Sequence, residues 1–510
     1  MSPAAVSRSR AESPLVLTID IGTSSSRVML FDRLARPVHG LESRYPHQMS
    51  TTPDGGVEGD AIELVGEVCA GITHVLQLAG DRVADIGAVA IGTMVANVLG
   101  VDESGRPVTP VYTYADTRGR AEVEKLRRRL DEANTHERTG CRFHTGYLPA
   151  RFLWIERERP ESLRLAKRWL SIGEFLQLEL FGRTACSYSV AAWTGMFNRQ
   201  LGDWDREVIS LLPIDVDRLS PLTHADQPLT GLKPEFAVLW PALTNLPWYP
   251  PVGDGVTSNI GSGCLSPRQA ALNVGTSSAI RVIVNDPAPT VPVGLWAYRY
   301  DRNRSLIGGA LNEGGGVFAW LRATFNLPDA STLEPRLAAM EPDAHGLTVL
   351  PFLTGERSPG WAADARAAIV GLSLHHEPAD VVRATYESIA YRLATVLRML
   401  AAACGQLDEV VASGGALLSS PCWCQIIADV TGQSVVASAE VEASSRGSAL
   451  LALVSLGALG GLDAVPAALG EVYHPEASRH GRYLAARERQ DRLYTKLVVA
   501  ERSHMQPGVR

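Results

Sequence analysis

The sequence predicts an α/β protein built as two lobes of like architecture with a cleft between them. Three observations carry that prediction. A glycine- and hydroxyl-rich turn, Gly22-Thr23-Ser24-Ser25, joins two apolar, strand-like runs within residues 17–32. A partial copy, Gly275-Thr276-Ser277-Ser278, joins two further apolar runs within residues 271–282. The chain of 510 residues is too long for one ordinary core, whereas two lobes of roughly 200 to 250 residues match usual domain sizes.

The first turn has the parts of a phosphate cradle. Gly22, Thr23 and Ser24 offer backbone N–H groups and hydroxyls to one anion. Asp20, at the end of the preceding strand, can hold a Mg²⁺ ion beside that anion through water. An ordinary hairpin with a polar turn has the same composition, because Gly and Ser are common turn residues. The copy shifts the balance toward the cradle. In it Asn273 stands where Asp20 stood, so the hydroxyl turn occurs twice and the acidic metal partner once. At this level the chain resembles the actin-like ATPase (ribonuclease H-like) fold, which implies a nucleotide in the cleft between the lobes.

Composition bounds the remaining classes. Charged residues make up 20% and apolar ones 45%, the profile of a globular protein. A net charge of −7 speaks against a nucleic-acid-binding surface. Seven cysteines, an odd number over a long chain, argue for a reducing compartment rather than a disulfide framework. Cys422-Trp423-Cys424 lacks the second pair that a zinc site needs. Residues 1–14 are polar, without the apolar core of a signal peptide, and read as a disordered tail. No run matches the roughly 20 apolar residues of a membrane span. The expectation is a cytoplasmic protein with neither nucleic-acid nor membrane partner.

Taken in order, apolar residues at helical spacing over 61–77 predict a helix, and 86–92 a buried strand. The loop after that strand, containing Val95 and Asn97, is a candidate pocket wall, since ligands sit at strand ends in α/β sheets. Asp116 and Arg118, near the start of a charged helix over 121–134, either hydrogen-bond a polyol or cap the helix and pair with each other. His144 lies in a loop, where a lone histidine more often makes a local hydrogen bond than catalyses. The Pro-rich residues 246–251 mark a lobe boundary, giving a first lobe of 15–248, a second of 249–465 and a helical tail of 466–510. Asp254 then stands between Gly253 and Gly255 at the start of a small-residue helix. Flanking glycines let a ligand approach the carboxylate as a general base requires, and an aspartate cap uses the same residues; the two roles are compatible. Strand, glycine turn and helix recur at Gly314-Gly315 and at Gly414-Gly415 with Ser419, where a base or ribose can lie against bare backbone. An amphipathic helix over 378–403 is core.

With these segments in order, the chain resembles the FGGY family of carbohydrate kinases from residue 15 to about residue 460. The likeness rests on the Asp20 turn, Asp254 between glycines, the run Pro-Phe-Leu-Thr-Gly-Glu-Arg-Ser-Pro at 351–359 with Gly371-Leu372, and Gly414-Gly415 with Ser419, Gln425 and Asp429. The resemblance implies that Asp254 is the general base on the sugar hydroxyl and that Asp20 organises Mg²⁺. It implies that Gly22, Thr23, Ser24, Arg27, Gly275, Thr276 and Ser277 hold the phosphates of ATP, with Gly315, Gly415 and Ser419 bordering the nucleotide. Val95, Asn97, Asp116, His144 and Gly255 would then surround the sugar. ATP and Mg²⁺ are the implied cofactors, a small sugar or sugar acid the implied partner, and a homodimer is admitted.

Within the family the chain is most similar to gluconate kinases, through Ala115-Asp116 with Arg118, Thr139-Gly140 with His144, and Tyr188 through Thr194-Gly195. Two residues depart from the pattern. Val95 stands where many members carry His, and Tyr114 where the family usually has Trp. A pocket that loses a polar contact binds its former substrate less well or prefers another. The expected reaction is transfer of the ATP γ-phosphoryl group to gluconate, giving 6-phosphogluconate, by positioning and charge neutralisation. The alternatives are a pentulose or polyol acceptor such as xylulose, ribulose or erythritol, and an ATPase of the same fold whose output is conformational. A P-loop kinase is disfavoured, because the chain has no Gly-Lys pair.

Overall fold

Both glycine turns close hairpins at the centre of a sheet. In the computed structural model, which describes residues 5–500, the first hairpin is β1 (Leu15–Ile21) antiparallel to β2 (Ser25–Phe31), with Asp20 opposite Arg27. On the outer side of β2 lies β3 (Pro37–Pro46), antiparallel; on the outer side of β1 lies β4 (Ile86–Thr93), parallel, followed by the short β5 (Val252–Gly253). The second hairpin is β6 (Gln269–Val274) antiparallel to β7 (Ser278–Val284). Here too an antiparallel strand flanks the second arm and a parallel one the first. The sheet order is β8 (Trp296–Arg299), β9 (Ser305–Leu311), β7, β6, β10 (Glu409–Ser413), β11 (Val435–Ser438) and β12 (Leu469–Tyr473). The duplication read from two short turns therefore extends to strand direction.

Every residue of β1 is buried, because elements cover both faces of its sheet. On one face lies α1 (Ala61–Ala79), capped by Asp60, whose carboxylate accepts from the N–H groups of Ile62 and Glu63. Among the described helices, this one has the length and hydropathy that a membrane crossing would need. Its apolar side instead buries Leu64, Val68, Ile72 and Val75 in the first core. The other face is covered by α2 (Asp254–Gly261) and α3 (Ala443–Ser455), whose Val256, Ile260, Leu450 and Leu453 join Val16, Ala88 and Ala90. These two helices meet at glycines. A Cβ on Gly261 would lie 1.8 Å from the Ala443 carbonyl oxygen, and one on Gly447 would lie 1.9 Å from that of Thr257, so no larger residue fits the crossing.

The lobe boundary expected at 246–251 is corrected by these contacts. Val89 donates to the Pro247 carbonyl and Tyr249 to that of Val89, both within the first lobe. Strand β5 then extends the first sheet, and α3, late in the chain, returns to it. A proline cluster marks a loop, but it does not say which sheet edge the next strand finds.

The expected disordered tail is corrected as well, whereas the expected C-terminal helix is present and packed on the second lobe. Val6 donates to the Pro37 carbonyl and accepts from His39, while Val6 and Ala11 are buried, so residues 5–14 are packed on the first lobe; residues 1–4 lie outside the described residues. Beyond 466, β12 joins the second sheet, and α4 (Ala477–Tyr494) buries Tyr483 and Gln490. Arg383 donates to the Tyr483 hydroxyl at 2.6 Å and Gln490 to the Val349 carbonyl at 2.9 Å. Residues 501–510 lie outside the described residues. The charged helix expected over 121–134 is two, Arg120–Arg129 and Glu132–Thr139, because Asp131 caps the second one.

Candidate active site

The hairpin turns, the loop after β4 and the start of α2 converge on a cavity of about 240 Å³ between the lobes. From the first lobe Thr23, Val95, His144 and Asp254 line it, and from the second Asn273, Ser277, Arg281 and Arg357. An aromatic wall completes it. Trp193 and Trp296 both stack on Tyr298, with ring centroids 3.8 and 4.4 Å away, and lie 5.3 Å from each other, while Trp361 packs edge-on to His144.

Asp254 is the first residue of α2 and not its cap, which is Gly253. Its Oδ1 accepts from the Gly255 N–H at 2.7 Å, and the residue lines the cavity. Burial raises its pKa, and Arg281 and the Gly255 N–H oppose that shift. Asp20 sits at the end of β1 opposite Gly92, where a Cβ would come 3.4 Å from the Asp20 Oδ1. Burial, and then the charge of Asp254, push Asp20 up to about 7, although Arg27 lies 3.6 Å from its Oδ2. Arg27 itself donates to Glu442 at 2.9 Å, so its charge is divided between two carboxylates. Phosphate contact by Arg27 therefore competes with an existing ion-pair network.

The pocket-wall loop is held by its own backbone and by one strut. Met94 donates to the Ile21 carbonyl at 2.7 Å. Asn97 donates to the Met94 carbonyl at 2.7 Å and accepts from Ile172 at 2.8 Å, which consumes both ends of its amide. Asn97 thus supports the wall, while Met94, Val95 and Ala96 face the cavity. Ala96 is held at φ 52°, and across the cavity Trp361 is also at φ 52°, a conformation that costs a non-glycine residue about 1–3 kcal/mol.

His144 accepts the Gly146 N–H on Nδ1 at 3.0 Å, which leaves the proton on Nε2. Burial, and then Arg357, hold its pKa down to about 3, so the ring is a neutral donor at the cavity. Asp116 is corrected in its placement. Arg118, two residues on, takes both of its oxygens, also reaches Glu58, and lies 4.2 Å over the Trp154 ring. This pair is buried behind the cavity wall and does not line it. Gly255 also stays out of the lining; its bare Cα lets Trp193 and the Arg281 Nε pack against the helix start, where a Cβ would come 3.0 and 3.3 Å from them.

On the nucleotide side, three glycine turns meet. Gly315 donates to the Gly275 carbonyl at 2.8 Å and Gly316 to that of Thr276 at 3.0 Å. Gly414, at φ 94°, lies against Val274, where a Cβ would come 2.4 Å from the carbonyl oxygen. Beside them a crevice of about 150 Å³ is lined by Gly315, Ala416, Ser419, Phe318 and Tyr386, and nothing crowds the Cα of Gly415. Gly22 and Ser24 are occupied locally by their backbones: Gly22 donates to Ser25 and accepts from His47, and Ser24 accepts from the His47 N–H. The Ser24 side chain is exposed.

Sequence reasoning missed Arg281, Arg357 and the aromatic wall. Arg281 did carry a signal: it is the one charge in β7, otherwise the apolar run Ser-Ala-Ile-Arg-Val-Ile-Val. The tryptophans carried none, because an apolar residue reads as core whether it faces a core or a cavity.

The pattern of the FGGY family of carbohydrate kinases, N-terminal domain, matches residues 15–261, and that of its C-terminal domain matches residues 270–456. The gluconokinase of Bacillus subtilis (strain 168) is 30% identical over 471 residues, 90% of this chain and 91% of that protein. A glycerol kinase of Leptothrix cholodnii is 30% identical over 481 residues, 91% and 94% of the two chains. The crystal structure of gluconate kinase from Lactobacillus acidophilus matches with a TM-score of 0.88 at 25% identity, over 95% of this chain and 98% of that one. With both halves matched and the relatives aligned over nearly their whole length, the chain belongs to the FGGY family of carbohydrate kinases.

Proposed function

We propose that this carbohydrate kinase transfers the γ-phosphoryl group of ATP to a hydroxyl of a sugar acid, with gluconate to 6-phosphogluconate as the leading case. The observation that carries the reading is the position of Asp254, in one small cavity with the hydroxyl turns of both lobes, Thr23 and Ser277. A substrate hydroxyl beside Asp254 loses its proton to the carboxylate as its oxygen attacks the γ-phosphorus. The raised pKa of Asp254 makes it a stronger base than an exposed aspartate. Thr23, Thr276 and Ser277 then hold the phosphates, and the crevice at Gly315, Gly415 and Ser419 takes the nucleoside.

The donor set at Asp20 fits Mg²⁺: an oxygen ligand, buried, beside a second carboxylate and short of compensating charge. When bound, the ion neutralises phosphate charge. Aromatic faces and the neutral His144 suit a polyhydroxylated chain, whose C–H faces pack on rings and whose hydroxyls accept a hydrogen bond from the Nε2–H. Gluconokinases among the relatives support the acid, and the glycerol kinase of equal identity keeps a neutral polyol as the second reading. A coupled ATP-consumption assay over gluconate, xylulose, ribulose, glycerol and erythritol decides between them. Turnover on gluconate is expected; turnover confined to a neutral member transfers the reading to that substrate, and ATP hydrolysis indifferent to all of them sinks the kinase reading.

A further inference from the structure

Two guanidinium groups face the cavity without an anionic partner to themselves. Arg281 projects from β7 beside the start of α2, and its Nε is buried with no hydrogen-bond partner. Arg357 is anchored through one Nη2 bond to the Leu311 carbonyl at 2.8 Å, and its Nε is likewise buried and unpartnered. Among the described residues neither is in an ion pair. Desolvated cations need a counter-charge, because burying one uncompensated is costly.

The protein's own carboxylates do not supply enough. Asp254 is the acid that Arg281 feels, a single charge for two guanidiniums that also repel each other. Glu313 lies near Arg357, yet its two oxygens are buried without partners, and burial pushes it up to about 8, which disfavours its charged form as a counter-ion. Glu356 is taken by Arg392. With Asp254 ionised, the two guanidiniums still outnumber the one carboxylate of the cavity lining, beside the rings of Trp193, Trp296 and Tyr298.

Resting on the reading that this cavity holds the acceptor, we propose that Arg281 and Arg357 bind the carboxylate of an aldonate and make the enzyme select sugar acids over neutral sugars of the same length. Guanidinium is suited to this because its fork of N–H groups matches a carboxylate, and the bond strengthens where water is excluded.

The test compares D-gluconate with D-gluconamide, which has the same shape without the charge. In the wild-type enzyme kcat/KM should favour the acid by about 100-fold or more. In Arg281→Met and Arg357→Met that ratio should collapse toward unity, mainly through KM for the acid, with Arg→Lys recovering part of it. Quenching of the cavity tryptophans by gluconate without ATP reads the same loss as binding alone, and thermal melting checks that the variants fold. Equal use of acid and amide by the wild type overturns the inference while leaving gluconate phosphorylation standing. So does an unchanged ratio in variants that lose kcat on both, which would put the guanidiniums on the transferred phosphoryl group. Turnover of a shorter aldonate in place of gluconate, with the same ratio shift, keeps the inference and removes gluconate; turnover of neutral sugars alone removes both.

Discussion

Asp20 and Asn273 occupy the same place in two copies of one turn, and the two copies have opposite electrostatics. Each stands two residues ahead of the glycine, on the first arm of a hairpin flanked by the same strand directions. Asn273 is neutral and donates to the Ser413 hydroxyl at 3.1 Å. Asp20 is buried, close to Asp254, and only partly answered by Arg27. Duplication therefore supplied one backbone twice, and the strand-end residue divides the work: one turn is a neutral cradle, the other holds charge that a cation completes.

The sharpest way to break this contrast is at the base that only one lobe supplies. Asp254→Asn should lower kcat by about 10³-fold, within the range for loss of a general base, while the affinity for a non-hydrolysable ATP analogue changes little. Steady-state turnover and a nucleotide titration measure the two. Near-normal kcat would remove Asp254 from its proposed role and leave the asymmetry without a chemical purpose.

Next comes the exchange of strand-end residues. Asp20→Asn should raise the Mg²⁺ concentration for half-maximal rate by about 10- to 100-fold, as for loss of an outer-shell oxygen ligand. Adding Asn273→Asp to that variant should not restore it, because the second turn faces Ser413 and has no Asp254 beside it. Recovery in the double variant would show the two turns to be interchangeable.

The same residue sharpens the comparison through stability. Raised from its ordinary 3.8 to about 7 in the folded protein, Asp20 binds a proton more tightly there than in the unfolded chain. Its contribution to stability is thus full below pH 4 and is lost as pH rises through about 7. Without Mg²⁺, Asp20→Asn should melt roughly 5 °C above wild type at pH 8, with the gap narrowing as pH falls below 7 and closing near pH 4. Activity should run the other way and fall as pH drops below 7, when Asp20 takes up a proton. Equal melting temperatures at pH 8 would mean that the Asp20 charge is already compensated.

How far the sequence disclosed this site depended on the range of the interaction involved. The hairpins were legible because a turn and its two arms are local, and the repeat made chance less plausible. Asp254 was legible because glycines on both sides are a local mark of close approach. The lobe boundary was not, since β5 and α3 reach the first sheet through pairings that no spacing encodes. Val6 reads as part of a polar tail until Pro37 and His39 are brought beside it. Arg281 announced itself as a charge in an apolar strand, whereas Arg357 was legible only as part of the run at 351–359, which gives no sign that its side chain faces the cavity. For Asp116 the sequence offered both readings, and the fold brought Glu58 and Trp154 to the side of pairing.

Asp116 sets the smallest expected effect on catalysis and the opposite signature to Asp20. Both are buried aspartates of the first lobe, but Asp116 has Arg118 on both oxygens, whereas Asp20 shares Arg27 with Glu442. Removing a satisfied partner leaves a buried guanidinium behind, so Asp116→Asn should destabilise the fold by about 3 kcal/mol. Glu58, still paired with Arg118, keeps the loss at the low end of the usual range. Since the pair stands behind the wall and not in the cavity, kcat/KM of the folded variant should stay within about threefold of wild type. Denaturant melts and steady-state rates, taken on the same preparation, give both numbers. A variant that melts like the wild type but loses substrate affinity would return Asp116 to the sugar, and would mean that the Arg118 pair opens when the lobes close. A variant that loses stability alone shows that a carboxylate's role here follows from its compensation, since burial is common to both residues.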